Sequence, residues 1–574
     1  MAQLGAVSRG RQLFQKSRNL TVGHFVMAIV GLLACFIILY PLLTVVLSSV
    51  QIANGWGTTV GYGFQNFRRL LEHEFLAVVG NTLIVSVCTT ALAGLLGVTL
   101  AWISARTDSF GTRVLEPLNL IPFYLSPLIG AIAWTYLASP SVGLLNQWAK
   151  TLFGLSASPF NIYSISGIIW VMALFYTPYM YLFTVGSFKK MDPALEEAAR
   201  TAGSGTIETT LRVTVPLMLP SILFGLSLTF VTSMGLFSVG ATLGVPVKID
   251  VLATMIYSFV ESDSPDYNMA STLGLVILLV TFITFLIQRK FLLPREFTTV
   301  TGKGYRPSLI RLGKWRYLTA AFHFFYLLAA AGLPIFALFI VSISRLWQGS
   351  PDFTDLTLSH YVWVLFDYPI TQRGIMNSLF LAFVGATGGM AFCFVLAYSV
   401  HKLEGKSKAI LDFVVTIPIG VPSIVLSMGI LVAYIKTPLY ATIWIIMLAY
   451  ITRYLPIGVK NVSSVLLALS RELEDSSMMC GASWFTTMRR ILVPLVKPGL
   501  LAGWMILFLI FMRELDASIL LYTQGNEVMS VTLFLLLEDA PAPQIAAYSM
   551  IQATIMLVIM YGIRKLADPD DVSG

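Results

Sequence analysis

Charged residues are scarce in this chain. Asp, Glu, Lys and Arg make up 11% of its 574 residues, whereas an ordinary soluble domain carries about 25%. Hydrophobic residues reach 56%, so the surface of a soluble form would be largely apolar. This composition argues against a soluble enzyme or a nucleic-acid-binding domain, and it excludes a disordered chain.

Cysteines and catalytic motifs are also scarce. The chain has four scattered cysteines, Cys35, Cys88, Cys393 and Cys480. They form no CxxC pair, so we expect neither a disulfide framework nor a zinc site. The sequence contains no HExxH and no GxSxG, and Gly405-Lys406-Ser407 lacks the leading glycine of a P-loop because Val400 occupies that position. We therefore expect no metal, no bound cofactor and no enzymatic activity in this chain.

Long apolar runs are what the sequence has instead. A helix needs about 20 apolar residues to cross the hydrocarbon core of a bilayer. Twelve runs reach this length: 24–50, 78–104, 117–139, 161–188, 217–240, 268–288, 317–344, 377–400, 410–435, 438–459, 495–521 and 546–563. The sequence therefore predicts an all-α membrane protein with about 12 transmembrane helices.

The distribution of Lys and Arg predicts the orientation. With the amino terminus inside, the cytoplasmic segments carry about four times as many Lys and Arg as the outer loops. Both termini are then cytoplasmic. The net charge of +8 is explained by this asymmetry and by contact with anionic lipid, without a nucleic-acid partner.

The chain repeats itself. Residues of the same type recur at offsets of 296 and then 278: Asn81 and Asn377, Pro122 and Pro418, Pro178 and Pro456, Gly203 and Gly481, Pro216 and Pro494. The change of offset places an insertion of 18 residues near 138–160, in an outer loop of the first half. We predict two parallel six-helix repeats about a pseudo-two-fold axis along the membrane normal, with a pathway between them.

This repeat sets the predicted domain organisation. The segments are a cytoplasmic amino-terminal segment at 1–23, a first half at 24–290, a basic cytoplasmic linker at 291–316, a second half at 317–566 and a carboxyl-terminal tail at 567–574.

The cytoplasmic loop between the fourth and fifth spans of each half has a distinctive pattern. In the first half, Asp192-Pro193 is typical of a helix start, with Glu196 and Glu197 near the positive end of the helix dipole. Gly203 can adopt the left-handed conformation that ends a helix. The second copy has Ser470 as its expected cap and Gly481 as its stop. A short helix with small side chains would suit a cleft on another protein.

These loops carry a known signature. The first copy has Glu197-Ala198-Ala199, then Gly203, Val213 and Val215-Pro216, and it is similar to the EAA motif of binding-protein-dependent ABC importer permeases. The second copy keeps Gly481, Ile491 and Pro494 at the same spacing, but Asp475-Ser476-Ser477 stands in place of Glu-Ala-Ala. The resemblance covers both halves and implies the type I importer permease fold.

The resemblance also implies partners and a function. In that family the loop docks into a cytoplasmic ATPase, so two copies of an ATPase subunit that binds ATP–Mg are expected, together with an extracytoplasmic solute-binding protein. The segments 240–259, 299–307 and 513–526 resemble ferric-iron permeases and their 2-aminoethylphosphonate relatives. Ferric iron is the first choice of solute. The aminoethylphosphonate, thiamine or another small anion stay open, and the expected location is the inner membrane.

Four ionisable residues fall inside predicted spans: Arg453, Arg513, Glu514 and Asp516. Such residues are costly in a bilayer and are candidates for function. Helical spacing places Arg513 and Asp516 on one face, where they could pair. Two interpretations remain open: an ion pair that fixes span ten against span eleven, or a lining or gate of the pathway.

Two other classes of protein compete with an importer permease. Twelve spans in two parallel halves also describe secondary transporters, but the repeated motif lies in the 4–5 loops, and the 2–3 loop at 105–116 has no glycine-and-basic signature. A membrane enzyme or a scaffold is disfavoured by the absence of a nucleophile constellation and by the paired docking loops.

Overall fold

The computed structural model describes residues 2–53, 59–292, 309–470 and 472–567. Most of the predicted linker at 291–316 and almost all of the predicted tail at 567–574 lie outside the described residues. Within the predicted amino-terminal segment, the backbone from Ala2 onward belongs to one long helix.

The described helices of the first half are α1 (Ala2–Ser49), α2 (Gln65–Arg69), α3 (His73–Arg106), α4 (Thr112–Leu118), α5 (Ile121–Tyr124), α6 (Pro127–Ala138), α7 (Leu144–Phe153), α8 (Ile165–Lys190), α9 (Pro193–Thr201), α10 (Thr206–Thr209), α11 (Val215–Met234), α12 (Ser238–Leu243), α13 (Leu252–Glu261) and α14 (Tyr267–Leu292). A small antiparallel hairpin of β1 (Gln51–Ala53) and β2 (Thr59–Tyr62) follows α1, with Gln51 opposite Tyr62.

The described helices of the second half are α15 (Trp315–Leu327), α16 (Leu333–Ile343), α17 (Ser359–Val362), α18 (Pro369–Lys402), α19 (Gly405–Thr416), α20 (Ser423–Tyr434), α21 (Ile443–Leu466), α22 (Glu472–Met479), α23 (Trp484–Thr487), α24 (Val493–Arg513), α25 (Met529–Asp539) and α26 (Ala542–Ala567). Four π-helical turns lie between helices, at Thr210–Thr214, Leu328–Gly332, Trp363–Asp367 and Met488–Leu492, and two 3-10 turns lie at Val245–Val247 and Ile417–Gly420.

Ten helices of the described chain are long and apolar enough to cross a membrane. They account for ten of the twelve predicted spans and confirm the prediction of an all-α membrane protein, to which the structure adds the short β1–β2 hairpin. The ten are Gly23–Ser49, His73–Arg106, Ile165–Lys190, Thr210–Met234, Tyr267–Gln288, Trp315–Ile343, Pro369–Lys402, Ile443–Leu466, Trp484–Arg513 and Ala542–Ile563.

The other two predicted spans, 117–139 and 410–435, are sharply bent. Thr112–Tyr124 meets Pro127–Ala138 at 97°, and Gly405–Gly420 meets Ser423–Tyr434 at 109°. Prolines lie beside both breaks, and a proline inside a helix removes a backbone hydrogen bond and clashes with the preceding turn. A third bent pair, Ser238–Val247 with Leu252–Glu261 at 82°, was not predicted as a span.

The halves repeat the same packing. In the first half α3 packs against α8 and α11, and in the second half α18 packs against α21 and α24. The halves also interlock, since α1 contacts α20 and α16 contacts α6. The first helix of each half therefore supports the bent third span of the other half.

Candidate functional site

The first predicted docking helix is α9. The Asp192 side chain accepts a hydrogen bond from the Ala194 amide at 2.9 Å, which confirms the expected cap. Gly203 has φ +92°, and its amide donates to the Arg200 carbonyl at 2.9 Å. The Ser204 amide donates to the Ala199 carbonyl at 3.1 Å. This bond pattern closes the helix and needs the left-handed glycine that the sequence predicted.

The second docking helix, α22, has the same construction. The Ser470 hydroxyl accepts from the Glu472 amide at 3.2 Å, as expected for a cap. Gly481 has φ +83°, and its amide donates to the Met478 carbonyl at 3.0 Å. The Ala482 amide donates to the Ser477 carbonyl at 3.2 Å. Two sequences with little identity thus fold into the same short helix and the same stop.

The motif residues lie on matching surfaces of the two helices. In the first copy Glu197 and Ala198 are exposed and Ala199 is half-buried. The second copy repeats this order, with Asp475 and Ser476 exposed and Ser477 half-buried.

The later motif residues follow the same pattern. Gly203 and Gly481 are exposed, with open space around the position of a side chain. Pro216 and Pro494 lie in the first turns of α11 and α24. Both exposed faces are therefore free for a partner.

The first loop also contains a buried carboxylate that the sequence alone did not predict. Glu196 is 2% exposed and forms an ion pair with Arg106, the last residue of α3, which is 0% exposed. It also accepts a hydrogen bond from the Thr214 hydroxyl at 2.7 Å. The glutamate that was placed near the helix dipole instead joins α9 to the end of the second span.

The second half contains the corresponding pair. Glu474 is 6% exposed, and it lies 2.8 Å from the Lys402 ammonium and accepts from the Tyr398 hydroxyl at 3.0 Å. Glu474 follows Glu196 by the 278-residue offset, and Lys402 follows Arg106 by the 296-residue offset. The recurrence of an acidic and a basic residue at these two offsets marks the positions in the sequence, but it does not show that they are in contact.

A π-helical turn follows each docking helix at the same repeat position. The turns span Thr210–Thr214 and Met488–Leu492 and lead directly into α11 and α24. Turns of this kind are rare and are frequently found at functional sites. Thr214, the last residue of the first turn, is also the hydroxyl donor to Glu196, so the turn and the buried carboxylate are in direct contact.

The four intramembrane charges do not form the pair that helical spacing suggested. Helix α24 ends at Arg513, and Glu514 already has extended backbone angles. Asp516 therefore lies beyond the helix and does not share a helical face with Arg513. None of the four residues belongs to an ion pair within 4 Å in the described chain. Span ten is joined to Glu514 by the hydroxyls of Tyr454 and Tyr450 instead.

The two arginines instead bind the breaks of the bent spans. Arg513 donates to the Leu125 carbonyl at 3.1 Å and to the Tyr179 hydroxyl at 2.8 Å. Arg453 donates to the Pro418 carbonyl and, at 3.2 Å, to the Ser423 hydroxyl. Carbonyls freed by a broken helix need such donors inside a membrane. Each guanidinium thus stabilises one break.

Arg513 also joins the two halves, because it belongs to the second half and Leu125 to the first. Its repeat position in the first half is Gly235. A Cβ there would lie 2.2 Å from the Cβ of Pro422, so the first half can approach the opposite break closely only with glycine. Asp516 adds a further contact between halves, accepting from the Phe237 amide at 3.2 Å.

Three aromatic rings from both halves pack together beside this contact. The ring centroids of Phe237 and Tyr257 are 4.8 Å apart, and Phe534 lies 5.2 Å from Phe237 and 5.8 Å from Tyr257. Phe237 and Phe534 are buried. The rings fill the space between α12, α13 and α25 with an apolar plug.

An apolar cavity of about 670 Å³ lies between α11, α14 and the bent pair of the second half. Its polar lining side chains include Ser227, Gln288 and Thr416. Within the described ranges, no group of three or more His, Cys, Asp or Glu side chains is placed to hold a metal ion.

The chain is similar to ferric-iron permeases over most of its length and to a 2-aminoethylphosphonate permease over less than half of it. It is 26% identical over 546 residues to the ferric transport system permease protein FbpB of Actinobacillus pleuropneumoniae, covering 92% of this chain and 76% of that protein. It is 26% identical to a putative ferric transport system permease protein FbpB 1 of Haemophilus influenzae, covering 87% and 78%. It is also 25% identical over 237 residues to a putative 2-aminoethylphosphonate transport system permease protein PhnV of Salmonella paratyphi A, covering 41% and 88%.

A family model matches the chain twice, at residues 93–295 and 389–567. Each match contains one docking helix, one buried glutamate and one complete bent third span. These two matches confirm the resemblance and the two-repeat architecture predicted from the sequence. The chain is a multi-pass inner-membrane protein and belongs to the binding-protein-dependent transport system inner membrane component family.

Proposed function

We propose that this chain is the membrane permease subunit of an ATP-driven importer that takes up ferric iron after delivery by a solute-binding protein. The observation that carries the importer assignment is the repeated docking helix, with the same cap, left-handed glycine and buried glutamate in both halves. The choice of iron is supported by the ferric permeases that match 92% and 87% of the chain.

A second solute is supported by a specific similarity. The 2-aminoethylphosphonate permease matches 41% of this chain, about the length of one half. The iron-system relatives match both halves, which favours ferric iron. Membership of the family disfavours a secondary transporter.

In this proposal the two docking helices receive force from two copies of an ATPase subunit, which supplies ATP–Mg. The exposed residues Glu197 and Asp475 would face the ATPase. The buried pairs Arg106–Glu196 and Lys402–Glu474 would carry the movement to α3 and α18. Charges buried together resist separation, because breaking one pair leaves an unpaired charge in a low-dielectric site.

The same movement would reach the pathway through the bent spans. The π-helical turns lead from the docking helices into α11 and α24, and α24 ends at Arg513 on the first-half break. A shift of α24 would therefore pull on Leu125 and on the plug around Phe237. Closure by ATP would bring the docking helices together and open the plug on the opposite face.

The direction of import follows from the predicted orientation. Both termini and both docking helices would be cytoplasmic, because the Lys-rich and Arg-rich segments face that side. The solute-binding protein would dock on the other face. The binding protein would bind the solute tightly, so the pathway between the halves of the permease needs only a low affinity for it.

The proposal is tested by reconstituting the chain in proteoliposomes with its ATPase and binding protein. ATP-dependent accumulation of ferric iron, and none of 2-aminoethylphosphonate, is expected. The reverse selectivity would overturn the iron assignment and leave the importer assignment standing. Uptake driven by a proton gradient without ATPase would overturn both.

Docking is tested separately by crosslinking. Single cysteines introduced as Ala198→Cys and Ser476→Cys, with Cys88 and Cys480 replaced by Ser, should crosslink to the ATPase. Ser156→Cys is the matched control, because Ser156 is also exposed but lies in the loop expected on the opposite face. Equal crosslinking at all three positions, or none at 198 and 476, contradicts the assignment.

A further inference from the structure

The insertion of the first half forms a helix that the second half lacks. Helices α6 and α8 are joined by residues 139–164, which include α7, whereas α20 and α21 are joined by residues 435–442 without a helix. The extra residues therefore build one additional element, beside the bent third span. Helix α7 is not among the elements proposed to couple the ATPase to the pathway.

Helix α7 is amphipathic, and the carboxyl-terminal part of its apolar face is exposed, whereas Leu145 packs against the core. Leu145, Trp148 and Leu152 recur at the spacing that places them on one helical face. Trp148 is 41% exposed and Leu152 is 77% exposed, and the adjoining Phe153 is 76% exposed. A soluble loop would turn such a face inward.

The opposite face of α7 is held by Asn146, which is 1% exposed. Its side-chain amide donates to the carbonyls of Ser139 and Phe160, at 2.9 Å each. Its side-chain oxygen accepts from the Phe160 amide at 2.9 Å. These three bonds connect both ends of the insertion, so the rotation of α7 about its axis is set by the fold.

The exposed face continues a surface that faces lipid. The ring of Trp148 lies 6.3 Å from that of Phe336, which is 42% exposed on the membrane-crossing helix α16. Phe336 lies about 10 Å along the helix axis before Ile343, where α16 ends. The exposed Arg345 follows that end. A membrane boundary at Ile343 would place Trp148 near the depth at which interfacial helices bury their apolar faces, about 5–10 Å into the boundary between headgroups and acyl chains.

We propose that α7 is an interfacial anchor whose exposed Trp148 and Leu152 side chains insert into the phospholipid leaflet opposite the docking helices. Tryptophan is favoured at this level of a bilayer. Because Asn146 binds the carbonyl of Ser139, which caps α6, the anchor holds the bent span of the first half at a set depth. The corresponding span of the second half, α20, has no such helix.

Spin labelling of the full chain in lipid nanodiscs of phosphatidylethanolamine and phosphatidylglycerol tests this proposal. The background replaces Cys35, Cys88 and Cys480 with Ser and keeps the buried Cys393. A nitroxide is attached at Leu152→Cys or, as the matched control on the polar face, at Thr151→Cys, which is also exposed. Collision with oxygen reports lipid, and collision with a water-soluble nickel chelate reports water.

The ratio of oxygen to nickel collisions should be severalfold higher at position 152 than at position 151. Equal ratios would overturn the anchor. Protection of position 152 only after the binding protein is added would also overturn it, since the face would then be a protein-docking surface. A label at Trp148→Cys, which lies on the same helical face as position 152, provides a second reading if Leu152→Cys misfolds. The measurement needs no transport and is independent of the solute.

Discussion

Two buried ion pairs, Arg106–Glu196 and Lys402–Glu474, join the docking helices to the membrane spans and are called the first and the second joint. The two joints share one geometry but differ in chemistry. In the first half Arg106 is fully buried, and two of its guanidinium nitrogens have no hydrogen-bond partner in the described chain. In the second half the Lys402 side chain is 24% exposed, and Tyr398 supports the carboxylate. A desolvated arginine depends on its counterion more than a lysine that reaches water. The first joint is therefore the more rigid one.

The first joint is also attached to the connection between halves. The Ile310 amide donates to the Arg106 carbonyl at 2.8 Å, and the Leu312 amide donates to the Asp108 carboxylate at 2.8 Å. These bonds tie the residues that lead into α15 to the end of α3. Among the described residues, the connection between the halves therefore supports the first joint but not the second, although the two joints have the same position in the repeat.

The largest expected effect comes from breaking the first joint. Glu196→Gln leaves Arg106 buried without a counterion and should destabilise the protein by ~3–5 kcal/mol. Glu474→Gln should cost clearly less, because Lys402 can turn to water. Thermal unfolding in detergent and ATP-driven uptake measure both effects. Glu197→Gln, at the exposed neighbouring residue, is the control and should not change the melting temperature. An equal loss in the two halves would refute the asymmetry.

A second effect concerns the contact that only the second half makes. Arg513→Gln removes donors from the Leu125 carbonyl and the Tyr179 hydroxyl, and an unsatisfied buried group costs about 1–3 kcal/mol. We expect a lower melting temperature and ATP hydrolysis that no longer depends on the loaded binding protein. Tyr179→Phe removes one of these bonds and should have a smaller effect. Unchanged coupling in Arg513→Gln would show that the arginine does not hold the break.

A third prediction concerns what the halves share. Gly203→Val and Gly481→Val place a β-branched residue at φ +92° and +83°, which costs about 1–2 kcal/mol. Each should abolish ATP-driven uptake and leave membrane insertion intact, because no atom of the described residues, apart from the glycine and its chain neighbours, lies within 4 Å of the new Cβ. Gly205→Val is the control, since Gly205 has the same open space without a positive φ. Normal uptake in both glycine variants would contradict the coupling role.

The smallest effect is expected from making the two motifs identical. Asp475→Glu with Ser476→Ala and Ser477→Ala gives the second helix the sequence of the first motif. Uptake should persist, while stability falls by about 0.5–1.5 kcal/mol because the 2.9 Å hydrogen bond between the Ser477 and Thr487 hydroxyls is lost. Denaturant titration measures this change, and Ser477→Ala alone should reproduce it. Loss of uptake would mean that the second loop needs its own polar residues.

Local signals in the sequence predicted the docking helices well. The cap at Asp192 and the stop at Gly203 depend on residues a few positions apart, so their effects are visible in the sequence. The spans and the repeat were equally accessible, because hydrophobic length and identical offsets need no three-dimensional information. The roles of the docking residues in coupling stay predictions.

The bends and the charged residues were harder to predict. Hydropathy treats 117–139 and 410–435 as single spans, since apolar length is the same whether a helix is straight or bent. Helical spacing suggested that Arg513 pairs with Asp516, but the helix ends at Arg513 and the two residues bind different elements of the first half. Residue spacing predicts a shared helical face only for residues that belong to the same helix.

The sequence alone was sufficient to predict the membrane spans, the two parallel halves, and the caps and stops of the docking helices. These features depend on hydrophobicity and on nearby backbone angles. Three-dimensional packing was needed to pair Glu196 with Arg106, 90 residues away, and to bring Arg513 to a break in the opposite half. Buried charges take whichever partner the packed helices bring within reach, and that proximity depends on all the helices together.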